Sequence, residues 1–170
     1  MFSISGEGQG TTAAKSEAVG WSFSYPMRNV SIAARLSNGG GFAGGTAYLM
    51  RAVGPGTTTQ GEVARTTVDL PLGFYDNVPL FTDLDLAAGD YWLVFEVPKT
   101  GPFSYLNWDI SQPVQLQQRA GVRYLGTKIL TVYDSDYAPA APFGEANTGF
   151  GYQIEITVSP ERPASHWRER

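Results

Sequence analysis

Between residues 91 and 97 the sequence YWLVFEV sets Tyr91, Leu93, Phe95 and Val97 against Trp92, Val94 and Glu96 in strict alternation. Successive side chains of a strand point to opposite faces, so this is a strand whose two faces meet different surroundings, and helical spacing fits it poorly. The flanks extend the pattern. Phe81, Asp83 and Asp85 alternate with Leu80, Thr82 and Leu84 before the turn Ala87-Ala88-Gly89-Asp90, and beyond a loop at 98–102 Leu106, Trp108 and Ile110 alternate with Tyr105, Asn107 and Asp109. Strand, turn, central strand, loop and strand within residues 80–110 commit the chain to a β architecture, with Leu93, Phe95, Trp108 and Ile110 expected in the core.

The rest of the chain carries the same period. Trp21, Phe23 and Tyr25 alternate with small residues up to Pro26, and Val30, Ile32, Ala34 and Leu36 form an apolar parity against Ser31, Ala33 and Arg35. The glycine-rich stretch 37–45 then predicts a hairpin to a strand at 46–53, with Tyr48 and Met50 sharing a face. Residues 62–70 read as a strand suited to an edge, 72–79 as an irregular connection, 112–121 as a loop, 128–133 as a strand and 134–149 as a loop. Phe150, Tyr152, Ile154, Ile156 and Val158 form one parity of the last strand, with Gln153 and Glu155 on the other.

A length of 170 residues suits one domain, and charged residues at 16% fall below the usual share of about 25%. The 20 glycines and 13% aromatics match short strands joined by glycine turns. The expected fold is all-β, a two-sheet antiparallel β-sandwich of jelly-roll kind at 20–158, preceded by an N-terminal arm (1–19) and followed by a tail (159–170).

The net charge of −4 and pI near 4.9 argue against nucleic acid, because affinity for a phosphate backbone rests on lysine and arginine. Absence of cysteine removes disulfides, thiolate nucleophiles and zinc–thiolate sites. The first twenty residues hold no basic segment followed by an apolar run, so the chain is either cytoplasmic or read without its leader. No apolar run reaches the ~20 residues of a membrane helix, so no membrane insertion is expected.

The runs LDLAAGDYWLVFE and LNWDIS and the closing FGYQIEI resemble exported bacterial β-sandwich domains of the choice-of-anchor type, which often precede a PEP-CTERM sorting tail. The likeness covers roughly the C-terminal half. It implies an extracellular or cell-surface protein of a bacterium, with no catalytic residues to carry over. The segment Ser159-Pro160-Glu161-Arg162-Pro163 departs from the Pro-Glu-Pro sorting motif at Arg162, and no apolar helix follows.

Four functional readings compete. Trp92, Glu96, Tyr105, Asn107 and Asp109, with Gln153 and Glu155, on outward parities would make a glycan-binding face, an aromatic platform flanked by acceptors, unless the aromatics pack under a loop or against each other. Asp134 and Asp136, and likewise Asp83 and Asp85, offer carboxylates two apart of the kind calcium takes, although no full calcium loop is present and aspartate is routine in turns. Catalysis would need His166, the one histidine, folded back from the tail, or Glu96 and Asp109 paired as in a glycosidase. The last reading is a non-catalytic structural subunit that self-associates into a homo-oligomer or filament through its termini by strand addition. The expectation is adhesion or assembly without catalysis and without a cofactor, and the alternative is a carbohydrate-binding module.

Overall fold

Alternation in the sequence becomes paired strands in the computed structural model, which describes residues 2–5, 10–12, 17–40, 44–96, 106–111, 115–118, 121–130, 137–145 and 151–158. In chain order these are β1 (Phe2–Ser5), β2 (Gly10–Thr12), β3 (Glu17–Phe23), β4 (Met27–Asn38), β5 (Gly44–Met50), β6 (Glu62–Asp69), β7 (Gly73–Leu86), β8 (Gly89–Glu96), β9 (Leu106–Ser111), β10 (Gln115–Gln118), β11 (Val122–Leu130), β12 (Phe143–Glu145), β13 (Gly151–Tyr152) and β14 (Ile154–Val158). Short 3-10 turns stand at Thr59–Gly61 and Ala138–Ala140. Among the described residues no helix is long and apolar enough to cross a membrane.

Two antiparallel sheets pack face to face, as expected for a β-sandwich. The smaller runs β12-β11-β3-β8-β5-β6; the larger runs β10-β1-β14-β4-β9-β13, with β7 on β4 and β2 on β9. The inward parities fill the space between them. Val19, Trp21 and Phe23 of β3 and Leu93 and Phe95 of β8 meet Ile32 and Leu36 of β4, Trp108 of β9 and Ile154 and Ile156 of β14. Phe95 packs edge-on against Trp108 across the layers at 5.0 Å between ring centroids, and Trp108 stacks on Tyr152 at 4.6 Å. Both Phe95 and Trp108 are buried, as their parity requires.

A strand has two edges, and β7 occupies one edge of β4 from Met27 to Asn38. The other edge must therefore be shared: β9 pairs with Leu36, Ser37 and Asn38, and β14 pairs with the stretch from Val30 to Ala34. At the junction Gln153 bridges the two. Its carbonyl accepts from the Arg35 amide (3.1 Å) and the Trp108 indole N–H (3.0 Å), and its amide donates to the Asp109 carbonyl (2.8 Å). The larger sheet branches there without leaving these backbone groups unpaired.

Four local expectations change. β4 and β5 are not a hairpin, for they lie in different layers. Tyr48 and Met50 on the outer face of β5 are as buried as Ala47 and Leu49 on the inner, so β5 sits between β6 and β8 in the doubly covered sheet. Residues 73–79 are the first half of β7, and Pro79 is tolerated because the far edge of β7 meets no strand among the described residues. The expected loop at 112–121 contains β10, and β11 begins at Val122, well before residue 128. Within the expected arm, β1 pairs with β10 and β14, β2 pairs with β9, and residues 17–19 open β3. The tail at 159–170 and the Asp134 to Asp136 stretch lie outside the described residues.

Candidate functional site

The outward residues of β8 and β9 fall on opposite sides of the molecule, because β8 belongs to the smaller sheet and β9 to the larger. Trp92 and Glu96 therefore do not converge with Asn107 and Asp109, and Tyr105 lies outside the described residues. The same separation divides Glu96 from Asp109, the carboxylates that a glycosidase would have to pair.

On the smaller sheet the outer face is covered. Ala18, Tyr48, Met50, Trp92, Val94 and Ala138 form a second apolar cluster, with Tyr137 and Phe143 packed against it. Residues 137–143 lie across this cluster and are tied to the next loop by Gly54, whose amide donates to the Pro139 carbonyl (2.8 Å). Trp92 is only 9% exposed. Gly20 lies against its ring, where a Cβ would stand 2.7 Å from the nearest ring carbon, and the Lys128 ammonium sits 4.5 Å above the ring centroid. The indole is a packed element here, held against Gly20 and Lys128.

Polar groups rim that cluster. The Tyr48 hydroxyl donates to Glu96, the Tyr137 hydroxyl donates to Glu62 (3.0 Å), and Arg65 clamps Glu62 with two bonds of 2.6 and 2.7 Å. The ring of Tyr137 meets Tyr48 edge-on at 5.6 Å. Burial, reinforced by the hydrogen bond to Glu96, pushes the Tyr48 hydroxyl far above the usual tyrosine range. The same causes, with Glu62 as the acceptor, raise Tyr137 to about 12. The Arg65 clamp holds Glu62 below the usual carboxylate range.

These shifts have a signed consequence at alkaline pH. A tyrosine whose folded pKa exceeds its unfolded value of about 10 contributes stability that is present below pH 10 and lost as pH rises toward the folded value. The expected outcome is a melting temperature that falls steadily above about pH 10, and phenolate absorbance that reaches its full amplitude only on unfolding. Tyr48→Phe with Tyr137→Phe should flatten that decline. A double variant with the same alkaline slope as the parent would show that these hydroxyls are not the cause.

The larger sheet presents a different outer face. Arg35 lies 2.9 Å from Asp109 and 3.3 Å from Asp76, and the Ser37 hydroxyl reaches Asp109 at 3.4 Å. Burial raises the Asp109 carboxyl above its ordinary range despite Arg35 and Ser37, so this cluster is a strut at the branch of the sheet. Asn107 is half-buried beside it. Further along β7, Asp85 accepts from the Asn29 amide (3.3 Å), while Asp83 adopts a left-handed conformation (φ 56°) at a bulge. Among the described residues no three acidic or histidine side chains gather to hold a metal, and Asp134 and Asp136 are not among them.

Two surface features were not found by periodicity. Leu72 and Phe74, at the crossing from β6 to β7, are 73% and 82% exposed. The crossing beneath them is braced: the Asn38 amide side chain donates to the Leu70 carbonyl (2.8 Å) and the Tyr75 hydroxyl to the Pro71 carbonyl (3.2 Å). The other feature is a groove beside β4, bounded by β7 and β14. Comparison with protein families, curated proteins and solved structures finds no match to this chain.

Proposed function

We propose that this protein is a non-catalytic, exported or cell-surface β-sandwich that works in assembly or adhesion, self-associating through the crossing between β6 and β7. The observation that carries the reading is the pair Leu72 and Phe74. Two large apolar side chains stand in water at one place, held there by a braced turn. Exposed apolar groups are ordinary singly; adjacent ones on an otherwise well-covered fold are what an interaction surface needs. Beside them the far edge of β7 meets no strand among the described residues, leaving backbone donors and acceptors that a neighbour's extended segment can meet.

The export component extends the likeness to choice-of-anchor domains. The separation of Glu96 from Asp109 by the thickness of the sandwich supports a role without catalysis. A contact built on so few side chains is weak on its own and becomes effective when many copies are held together on a surface.

Asp69 and Asp76 flank the apolar pair and are exposed. Like charges brought together across a contact between copies repel, and salt screens exposed charges. Sedimentation velocity over a wide concentration range should therefore show an average mass that rises with concentration, and rises further with added salt. Leu72→Ser with Phe74→Ser should hold the chain at monomer mass with an unchanged melting temperature. A parent that stays monomeric at every concentration and salt, or a double variant that associates equally, would overturn the reading.

A further inference from the structure

Along the outer face of the larger sheet, Ser31, Asn77, Pro79, Thr82, Glu155 and Thr157 line a groove of about 190 Å³. Its origin is in the backbone. Opposite Val30, Ile32 and Ala33 of β4 stand Leu84, Phe81 and Pro79 of β7, so β7 carries extra residues and is cranked out of register twice within a few positions. Such bulges bend a strand and re-aim its side chains. β14 keeps regular register on the other side, with Glu155 opposite Ala33 and Thr157 opposite Ser31. The outward residues of β4 between these walls, Ser31 and Ala33, are too short to fill the trough.

The polar groups around it are unspent. Among the described residues, the side chains of Ser31, Asn77, Thr82, Glu155 and Thr157 make no hydrogen bond or ion pair, whereas Arg35 and Ser37 further along β4 are tied to Asp109. Three hydroxyls and an amide both donate and accept, and the carboxylate accepts. No cation lines the groove, so it does not suit an anion. One carboxylate falls well short of the six or more oxygens, several of them charged, that calcium takes. Pro79 and the Ala33 methyl add a small apolar surface. Sites for drug-sized ligands run to about 300–1,000 Å³, so this one holds a single small unit.

We propose that the groove binds one neutral sugar ring, as the end or a branch of a glycan, with Glu155 accepting from ring hydroxyls, Ser31, Asn77, Thr82 and Thr157 exchanging hydrogen bonds with the others, and the C–H face of the ring on Pro79 and Ala33. The site uses neither Leu72 nor Phe74, so the sugar titration and the sedimentation test can each fail while the other succeeds.

The test is a two-dimensional amide NMR titration of the full chain with glucose, galactose, mannose, fucose, N-acetylglucosamine and N-acetylgalactosamine, each in turn. At least one sugar is expected to give saturable shifts centred on the amides of Ser31, Ala33, Asn77 and Glu155. Glu155→Gln should weaken that binding about tenfold or more, the usual cost of losing a charged acceptor. Ala33→Phe, which fills the trough from its floor, should abolish it. Should Ala33→Phe fail to fold, Thr157→Val replaces it, keeping the shape and removing one hydroxyl, with weaker binding expected. No sugar shifting these amides, or shifts that survive the variants unchanged, would overturn the proposal.

Discussion

Replacing Trp108 with alanine is expected to lower the free energy of unfolding by about 3–5 kcal/mol, the range for deleting a large aromatic from a packed core. Trp108 is 1% exposed, stacks on Tyr152 within its own sheet, meets Phe95 of the other sheet edge-on, and donates its indole N–H to Gln153 at the branch. One side chain thus joins the two layers and, within the larger sheet, ties β9 to β13 and to the Gln153 junction with β14. Domains of this kind have about 5–15 kcal/mol in total, so the variant should be substantially unfolded on mild heating. Urea denaturation reads the loss directly. Trp108→Phe keeps a ring against Phe95 and Tyr152 while removing one of the two N–H groups that the Gln153 carbonyl accepts from, and should cost less than the alanine. A loss under about 1 kcal/mol for Trp108→Ala would mean that the ring is not packed between the layers.

Gly20→Leu is expected to destabilise by roughly 1–3 kcal/mol, as overpacking does in a filled interior. Its Cβ would fall 2.7 Å from the Trp92 ring, which cannot swing away easily because Lys128 lies over it and the cluster under residues 137–143 surrounds it. The cause can be isolated. In a Trp92→Ala background the obstacle is gone, so Gly20→Leu should become nearly neutral, and thermal melts of the four proteins give the coupling. An undiminished penalty in that background would show that Trp92 is not what Gly20 accommodates. The same cycle separates a packed indole from the open sugar platform expected of Trp92, because a solvent-facing ring would not couple to Gly20.

The layers were legible because they rest on parity, which is local. Leu93, Phe95 and Trp108 are inward in the sequence and in the fold, and so are Trp21, Ile32, Ile154 and Ile156. Pairing is not local, and there the sequence misleads. The glycines at 37–45 look like a hairpin turn, yet β4 and β5 on either side of them lie in different layers, and nothing near Tyr48 and Met50 announces that residues 137–143 will cover them. That cover removed Trp92 from the surface. Likewise Asn107 and Asp109 share the outward parity of Trp92 and Glu96 but belong to the other sheet, a fact fixed only by β9 pairing with β2 and β4.

The groove was half legible. Ser31, Ala33, Glu155 and Thr157 could all be placed outward from their alternation, but not side by side, since β14 meets β4 across more than a hundred residues of chain. Residues 72–79 read as irregular because Pro79 and the bulges of β7 break the period, which also hid the exposure of Leu72 and Phe74. A signal was present in Leu70-Pro71-Leu72-Gly73-Phe74-Tyr75, an apolar run without alternation. Such a run has no face to bury and must either be covered or stand in water.

The most direct test of the assembly reading is hydrogen–deuterium exchange of the parent chain at low and high protein concentration, in moderate salt. Self-association through the crossing predicts that amides of residues 72–78 gain protection as concentration rises, while those of β3 and β8 in the interior of the smaller sheet do not change. Exchange at 72–78 that is independent of concentration, or protection gained elsewhere with none there, would contradict it.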